Sequence, residues 1–150
     1  MTERVSITEA NKAIFKRFSE ESWNRGNLDV IDELVDPNFI GNFPAPNQPL
    51  RGPEGLKQYY KMYMAGFSDI HFTVEEQIAE GDTVVMRWSV RATHTGELTG
   101  IPPTNKTITS AGMTLCRFAD GKMMEWHGHW DMLGMLQQLG VIPSLELAGT

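Results

Sequence analysis

The sequence predicts an α+β fold, in which a curved antiparallel sheet packs with N-terminal helices into a cone (an α+β barrel). Three observations predict it. Apolar residues recur at helical spacing through the first half of the chain. Long runs rich in β-formers fill the second half. Turn signals then join those runs in an order that suits an antiparallel meander, with the helices gathered on one face.

The helices come first. Ser6 followed by Glu9 is a capping-box pattern, and Ile7, Ala10, Ile14, Phe15, Phe18 and Ser22 form an amphipathic stripe behind it. Gly26 is the natural stop. A short helix from about Leu28 to Val35 follows and ends at Pro37. Phe39–Phe43 reads as a brief strand before the proline-rich loop Pro44–Pro49. Gly52-Pro53-Glu54 opens the next helix, with proline in a tolerated first-turn position. Leu56, Tyr59, Tyr60, Tyr63, Met64 and Phe67 share one of its faces.

The period then changes. Ile70–Ile78 alternates loosely, and Glu80-Gly-Asp82 is a turn. Thr83–Ala92 is a strand, Gly96–Asn105 a loop, and Lys106–Phe118 another strand. Ala119-Asp120-Gly121 is a tight hairpin turn. Lys122–Trp130 is the last strand, followed by a helix from about Asp131 to Leu139 with Gly140 as its stop. A curved sheet covered by helices leaves a mouth able to hold a ligand.

The chain has 150 residues, the size of a single domain spanning 1–150. Hydrophobic residues make up 41% and charged residues 21%, the balance of a soluble globule and not of a disordered chain. A net charge of −6 repels phosphate backbones and argues against nucleic acid as a partner. One cysteine, Cys116, excludes an internal disulfide framework and a multi-thiolate metal centre. Its neighbours in sequence offer no activating base, so a buried inert thiol is expected. The N-terminal stretch lacks the apolar core of a signal peptide, and no run is long enough to cross a bilayer. The expected location is the cytoplasm. No phosphate-cradling glycine loop is present, so no nucleotide cofactor is expected.

Chemistry concentrates at the end of the last strand. His127, His129 and Asp131 lie two apart and share one face, with Trp126 and Trp130 on the other. If the shared face is concave, burial raises the Asp131 pKa toward that of a general base, and an imidazole can support the carboxylate or a developing oxyanion. Asp131 also stands where a helix N-cap belongs, able to accept an N–H from Leu133 or Gly134. The imidazoles could equally face solvent or a second copy of the chain, since alternation does not say which face is which. The His-x-His-x-Asp spacing is weak evidence for a metal, and none is expected. His94 stands at the entrance to a loop, as a pocket rim or a turn contact. Asn42 is a candidate to orient a substrate carbonyl. Tyr60, with Tyr59 and Tyr63, and Met113, with Met123 and Met124, are core-like in spacing and ligand-lining second. Arg87 and Arg91 read as a solvated outer face or an ion-pairing one.

Several motifs then fall in a recognisable order: Trp23-Asn-x-Gly-Asn27, Asp36-Pro-Asn-Phe39, Arg51-Gly-Pro-Glu-Gly55, His94-Thr-Gly-x-x-x-Gly-Ile-Pro-Pro-Thr104, and Trp130-Asp-Met-Leu-Gly-Met-Leu-Gln-Gln-Leu-Gly140. Together they resemble the SnoaL-like polyketide cyclase family over about residues 10–142. The resemblance implies the cone fold shared with nuclear transport factor, ketosteroid isomerase and limonene-epoxide hydrolase. It implies an acid/base aspartate closing the last strand, at Asp131, for an intramolecular aldol condensation, and the shared strand face makes His129 the expected partner beside it. By the same analogy Asn42 stands near the isomerase's catalytic acid, and Ser89 replaces a hydrolase carboxylate two residues from Arg87, which argues against both chemistries. The expected substrate is a flat, mostly apolar carbonyl compound bound near His127, His94, Asn42, Tyr60 and Met113. No cofactor and no metal are expected, and a homodimer is. The alternatives are a non-catalytic small-molecule binding domain, or an isomerase or epoxide hydrolase on the same fold.

Overall fold

A computed structural model describes residues 6–45 and 47–145; Pro46 of the proline-rich loop and the first five residues of the N-terminal stretch lie outside the described residues. The chain begins with helix α1 (Ile7–Ser19), where Ser6 Oγ accepts the Glu9 N–H at 3.2 Å. The Glu9 carboxylate pairs with Lys12 at 3.0 Å, so the expected capping box is formed by its serine half.

A π-helical turn (Glu20–Asn24) extends α1, a feature that helical periodicity does not reveal. It carries the Asn24 amide to the sheet, where Nδ2 donates to the Phe72 carbonyl at 2.9 Å and Oδ1 accepts the Phe72 N–H at 2.7 Å. Helix α2 (Asp29–Leu34) leads into strand β1 (Val35–Asn42). A two-residue strand β2 (Leu50–Arg51) precedes helix α3 (Gly52–Gly66), with Pro53 in its first turn.

The long strands are β3 (Phe67–Glu80), β4 (Thr83–His94), β5 (Thr107–Ala119) and β6 (Lys122–Trp130), followed by helix α4 (Met132–Gln138). Asp120 (φ 50°) and Gly121 (φ 75°) both take left-handed backbone at the β5–β6 turn, as a tight two-residue hairpin requires. The sheet order is β2-β1-β6-β5-β4-β3. It is curved and does not close. One expectation needs correcting: the sheet is not wholly antiparallel, because β1 joins β6 in parallel. The chain between β1 and β6 runs through α3 and four strands, room enough for a parallel return.

Alternation sorts the strand residues sharply. Met86, Trp88, Val90 and Ala92 of β4, and Ile108, Ser110 and Thr114 of β5, turn toward the helices. Phe15 and Phe18 of α1 and Leu56, Tyr59 and Tyr60 of α3 meet them in one buried cluster. Cys116 belongs to that cluster and is fully buried; burial pushes its thiol well up, so it stays protonated and inert.

Candidate functional site

Between the helices and the concave face of the sheet lies a cavity of about 100 Å³ that opens to the surface through a mouth. All four tryptophans (Trp23, Trp88, Trp126, Trp130) and all three tyrosines (Tyr59, Tyr60, Tyr63) line it. The rings are set edge-on and stacked: Trp23 lies 4.1 Å from Tyr60 between centroids, Phe43 stacks on Tyr59 at 4.4 Å, and Tyr63 meets Trp130 at 5.8 Å. Gly128 leaves room on β6 for the Phe43 ring, which a Cβ there would approach to 3.0 Å. Such walls suit a flat, unsaturated occupant, since aromatic rings gain from offset or edge contacts beyond simple area burial.

Among the described residues, the lining contains no aspartate, glutamate, histidine, lysine or arginine. Its polarity comes from hydroxyls and indole N–H groups. Trp88 Nε1 donates to Thr114 Oγ1 at 3.0 Å, and Ser110 Oγ donates to the Asp131 carbonyl at 3.1 Å. The Nε1 atoms of Trp126 and Trp130 are buried without a partner, although Tyr59 stands next to Trp130. An unmet buried donor costs about 1–3 kcal/mol, so a bound oxygen acceptor would be stabilised there. Burial raises the pKa of all three tyrosines, and for Tyr59 the neighbouring Tyr63 and Tyr60 add to it. These phenols are therefore hydrogen-bond donors at neutral pH and not bases.

The family model for SnoaL-like polyketide cyclases matches residues 13–139, most of the chain. The chain belongs to the SnoaL-like polyketide cyclase family. A nogalonic acid methyl ester cyclase of Streptomyces nogalater is 31% identical over 121 residues, covering 79% of this chain and 90% of that one. Among solved structures, a candidate SnoaL-like polyketide cyclase from Jannaschia sp. CCS1 superposes with a TM-score of 0.84 at 27% identity, covering 95% of this chain and all of that one. AclR, a candidate hydroxylase from Streptomyces galilaeus, superposes with a TM-score of 0.79 at 26% identity, covering 91% and 84%. One fold thus carries more than one named chemistry, and the reaction must be argued from the site.

Of the residues expected to act on or bind a substrate in this cyclase-family sequence (Asp131, His129, His127, His94, Asn42, Tyr60 and Met113), Tyr60 lines the cavity, with Tyr59 and Tyr63 of the same helix face beside it. His127 and His129 lie on the convex face, because Trp126, Gly128 and Trp130 take the concave one. His127 Nε2 pairs with Glu125 at 2.7 Å, and Glu125 also holds Arg117 at 3.2 Å. Met113 sits across from His129 and is 54% exposed; Asn42 sits across from His127, again on the outside. The concave expectation for these four is corrected, and the cause is parity: the larger apolar set on β6 claims the inside.

His94 turns inward but stops behind the cavity wall. It is fully buried, its ring lies 5.4 Å from that of Phe67, and its Nδ1 accepts the Thr104 N–H at 3.1 Å. That bond puts the ring proton on Nε2, which is buried without a partner. His94 pins the loop between β4 and β5, and does not rim the pocket.

Asp131 is exposed, and its Oδ1 accepts the Gly134 N–H at 2.8 Å as the N-cap of α4. The expectation of an inward, desolvated carboxylate is corrected too: the helix amide claims it. The backbone around it still touches the site, since Trp130 before it and Met135 after it both line the cavity. The sequence pattern did not single out Ser110 and Thr114. The signal was the inward parity of β5, which they share with Ile108 and Cys116.

No helix among the described residues is long and apolar enough to cross a membrane, and no cluster of three metal-ligating side chains occurs among them.

Proposed function

We propose that this chain is a polyketide-cyclase-type enzyme that closes a ring in a flat, carbonyl-bearing substrate by proton transfer, without a cofactor. The observation that supports it best is the uncharged aromatic cavity of a family member, with its hydroxyl and indole donors. The Streptomyces nogalater relative is named for a methyl ester, a carbonyl compound of the kind such a cavity accepts. The acidity resides in the substrate, where carbonyls flank the reacting carbon. The protein contributes desolvation, alignment and donors for the enolate oxygen.

In this reading Asp131 takes the proton from the activated carbon, the enolate carbon attacks the electrophilic carbonyl, and the new alkoxide recovers a proton from the Asp131 carboxyl. The carboxylate faces solvent, so in this reading the reacting carbon lies at the cavity edge beside Trp130. His129 and His127 take no part in binding or chemistry. Tyr60 contributes a wall of the substrate site. The chain acts as a cytoplasmic homodimer whose copies meet through the convex face, where Ile78, Met113 and Ile40 are 66%, 54% and 36% exposed.

Asp131→Asn tests the base. Asparagine caps helices as well as aspartate, so stability should hold within about 0.5 kcal/mol. Turnover of a nogalonate-type methyl ester should fall about 10²–10⁴-fold, the range general acid–base catalysis supplies. Turnover at the wild-type level in the folded variant would remove Asp131 from the chemistry and leave the cavity as a binding site.

A further inference from the structure

Two hydroxyls stand on the inward row of β5, and the chain holds them differently. Ser110 Oγ donates to the Asp131 carbonyl at 3.1 Å, so its proton is engaged by the protein itself. Thr114 Oγ1 is an acceptor instead, taking the Trp88 indole N–H at 3.0 Å. An indole nitrogen can only donate, which fixes the direction of that bond and leaves the threonine's own O–H to point elsewhere. Among the described residues that O–H meets no acceptor. A hydroxyl that accepts one hydrogen bond is a stronger donor of the next.

The surroundings hold this arrangement and keep it accessible. Gly112 lies across from Trp88, and a Cβ there would come within 2.7 Å of the indole ring, so the glycine lets that ring lie over β5. Phe72 stacks on the indole at 5.1 Å between centroids. Gly128 lies across from Thr114 on β6, where a Cβ would stand 3.5 Å from Oγ1, so its absence leaves the hydroxyl facing open cavity. The other polar groups of the lining have neighbours of their own. Ser19 Oγ donates to Met86 Sδ at 3.7 Å, Tyr59 lies beside Tyr63 and Trp130, Tyr60 beside Ser22 and Trp23, and Trp126 beside Cys116.

We propose that Thr114 is the specificity-determining donor of the cavity: its hydroxyl, held by Trp88, donates a hydrogen bond to a carbonyl oxygen of the ligand. The inference rests on the reading of the aromatic cavity as the ligand site. It makes the site selective for carbonyl compounds over hydrocarbons of the same shape and turns the bound oxygen inward, toward β5.

The test compares acetophenone with α-methylstyrene, in which a CH₂ group replaces the carbonyl oxygen. Binding is followed through the indole N–H resonances in nitrogen-15 NMR spectra, because every tryptophan lines the cavity. The wild-type protein should bind the ketone about fivefold more tightly, the value of one neutral hydrogen bond. Thr114→Val puts a methyl group over the indole N–H and should bring the ratio to about one, with the affinity for α-methylstyrene kept. Thr114→Ser should restore the preference. Trp88→Phe, which keeps the hydroxyl and removes the bond behind it, should reduce the preference and serves if the valine variant does not fold by circular dichroism. A wild-type protein that binds both compounds alike, or a folded Thr114→Val protein with the wild-type ratio, overturns the role of Thr114 while the cavity stands. If neither compound moves the indole resonances, the cavity reading fails first and the donor falls with it.

Discussion

The two faces of β6 are made by alternate residues of one nine-residue strand, yet they differ in almost every respect. The inner face carries Trp126, Gly128 and Trp130, packed against Phe43, Tyr63 and the helices. The outer face carries Glu125, His127 and His129, and there Glu125 holds both Arg117 and His127 Nε2. The titratable groups are outside and the aromatic groups inside. The contrast teaches that a cluster of catalytic-looking side chains on one strand face is evidence of a shared face only. Burial of the larger apolar set decides which face becomes the site.

The sharpest way to break the comparison is to crowd the inner face. At Gly112 on β5, an added Cβ would fall 2.5 Å from the His129 carbonyl oxygen, 2.6 Å from the Trp130 Cβ and 2.7 Å from the Trp88 ring. Gly112→Ala should therefore cost about 3 kcal/mol, seen as a fall in denaturant midpoint. A loss below about 0.5 kcal/mol would mean the strands can part there, and that the cavity wall is softer than its packing implies.

The next effect is alkaline. All three tyrosines have their pKa raised by burial above the ordinary value of 10. The folded state therefore holds its phenolic protons more tightly than the unfolded chain. The stability this contributes is complete below about pH 10 and is lost as the pH climbs above it. Phenolate absorbance at 295 nm should rise only together with unfolding. A tyrosine titrating near pH 10 in folded protein would show that its hydroxyl reaches water.

The smallest effects belong outside. His129→Ala should change stability by no more than about 0.5 kcal/mol, as surface substitutions do. Met113→Asp should likewise leave the fold intact but lower the mass measured by light scattering from dimer to monomer. An unchanged dimer would move the contact between copies off the convex face.

The secondary structure was legible because its signals are local. Tyr59, Tyr60 and Tyr63 announced a helix face, and the β-rich run from Thr83 announced a strand. The parallel pairing of β1 with β6 was not legible, since it joins segments some 85 residues apart and β2 is only two residues long. The π-helical turn at Glu20–Asn24 has no sequence period of its own. For the site, the cap at Asp131 could be read from its position before a helix, but the direction of its carboxylate depends on the Gly134 amide, a contact that spacing alone does not rank. Tyr60 was found because its helix face must be buried whichever way the sheet turns. His129 was lost because its strand face need not be.

The double hydrogen bond from Asn24 to Phe72 has a consequence for the protein's company. β3 is the last strand of an open sheet, and its free rim of amides invites a stranger's chain to add itself. At Phe72 the asparagine side chain supplies the donor and acceptor that an intruding strand would offer, closing that stretch from within. Farther along, Glu75 and Glu76 are engaged by Ser89 and Arg87 of β4, and Glu80 adds a charge at the end of the strand. The rim open to strand addition is in this way interrupted at Phe72 by the chain's own side chain.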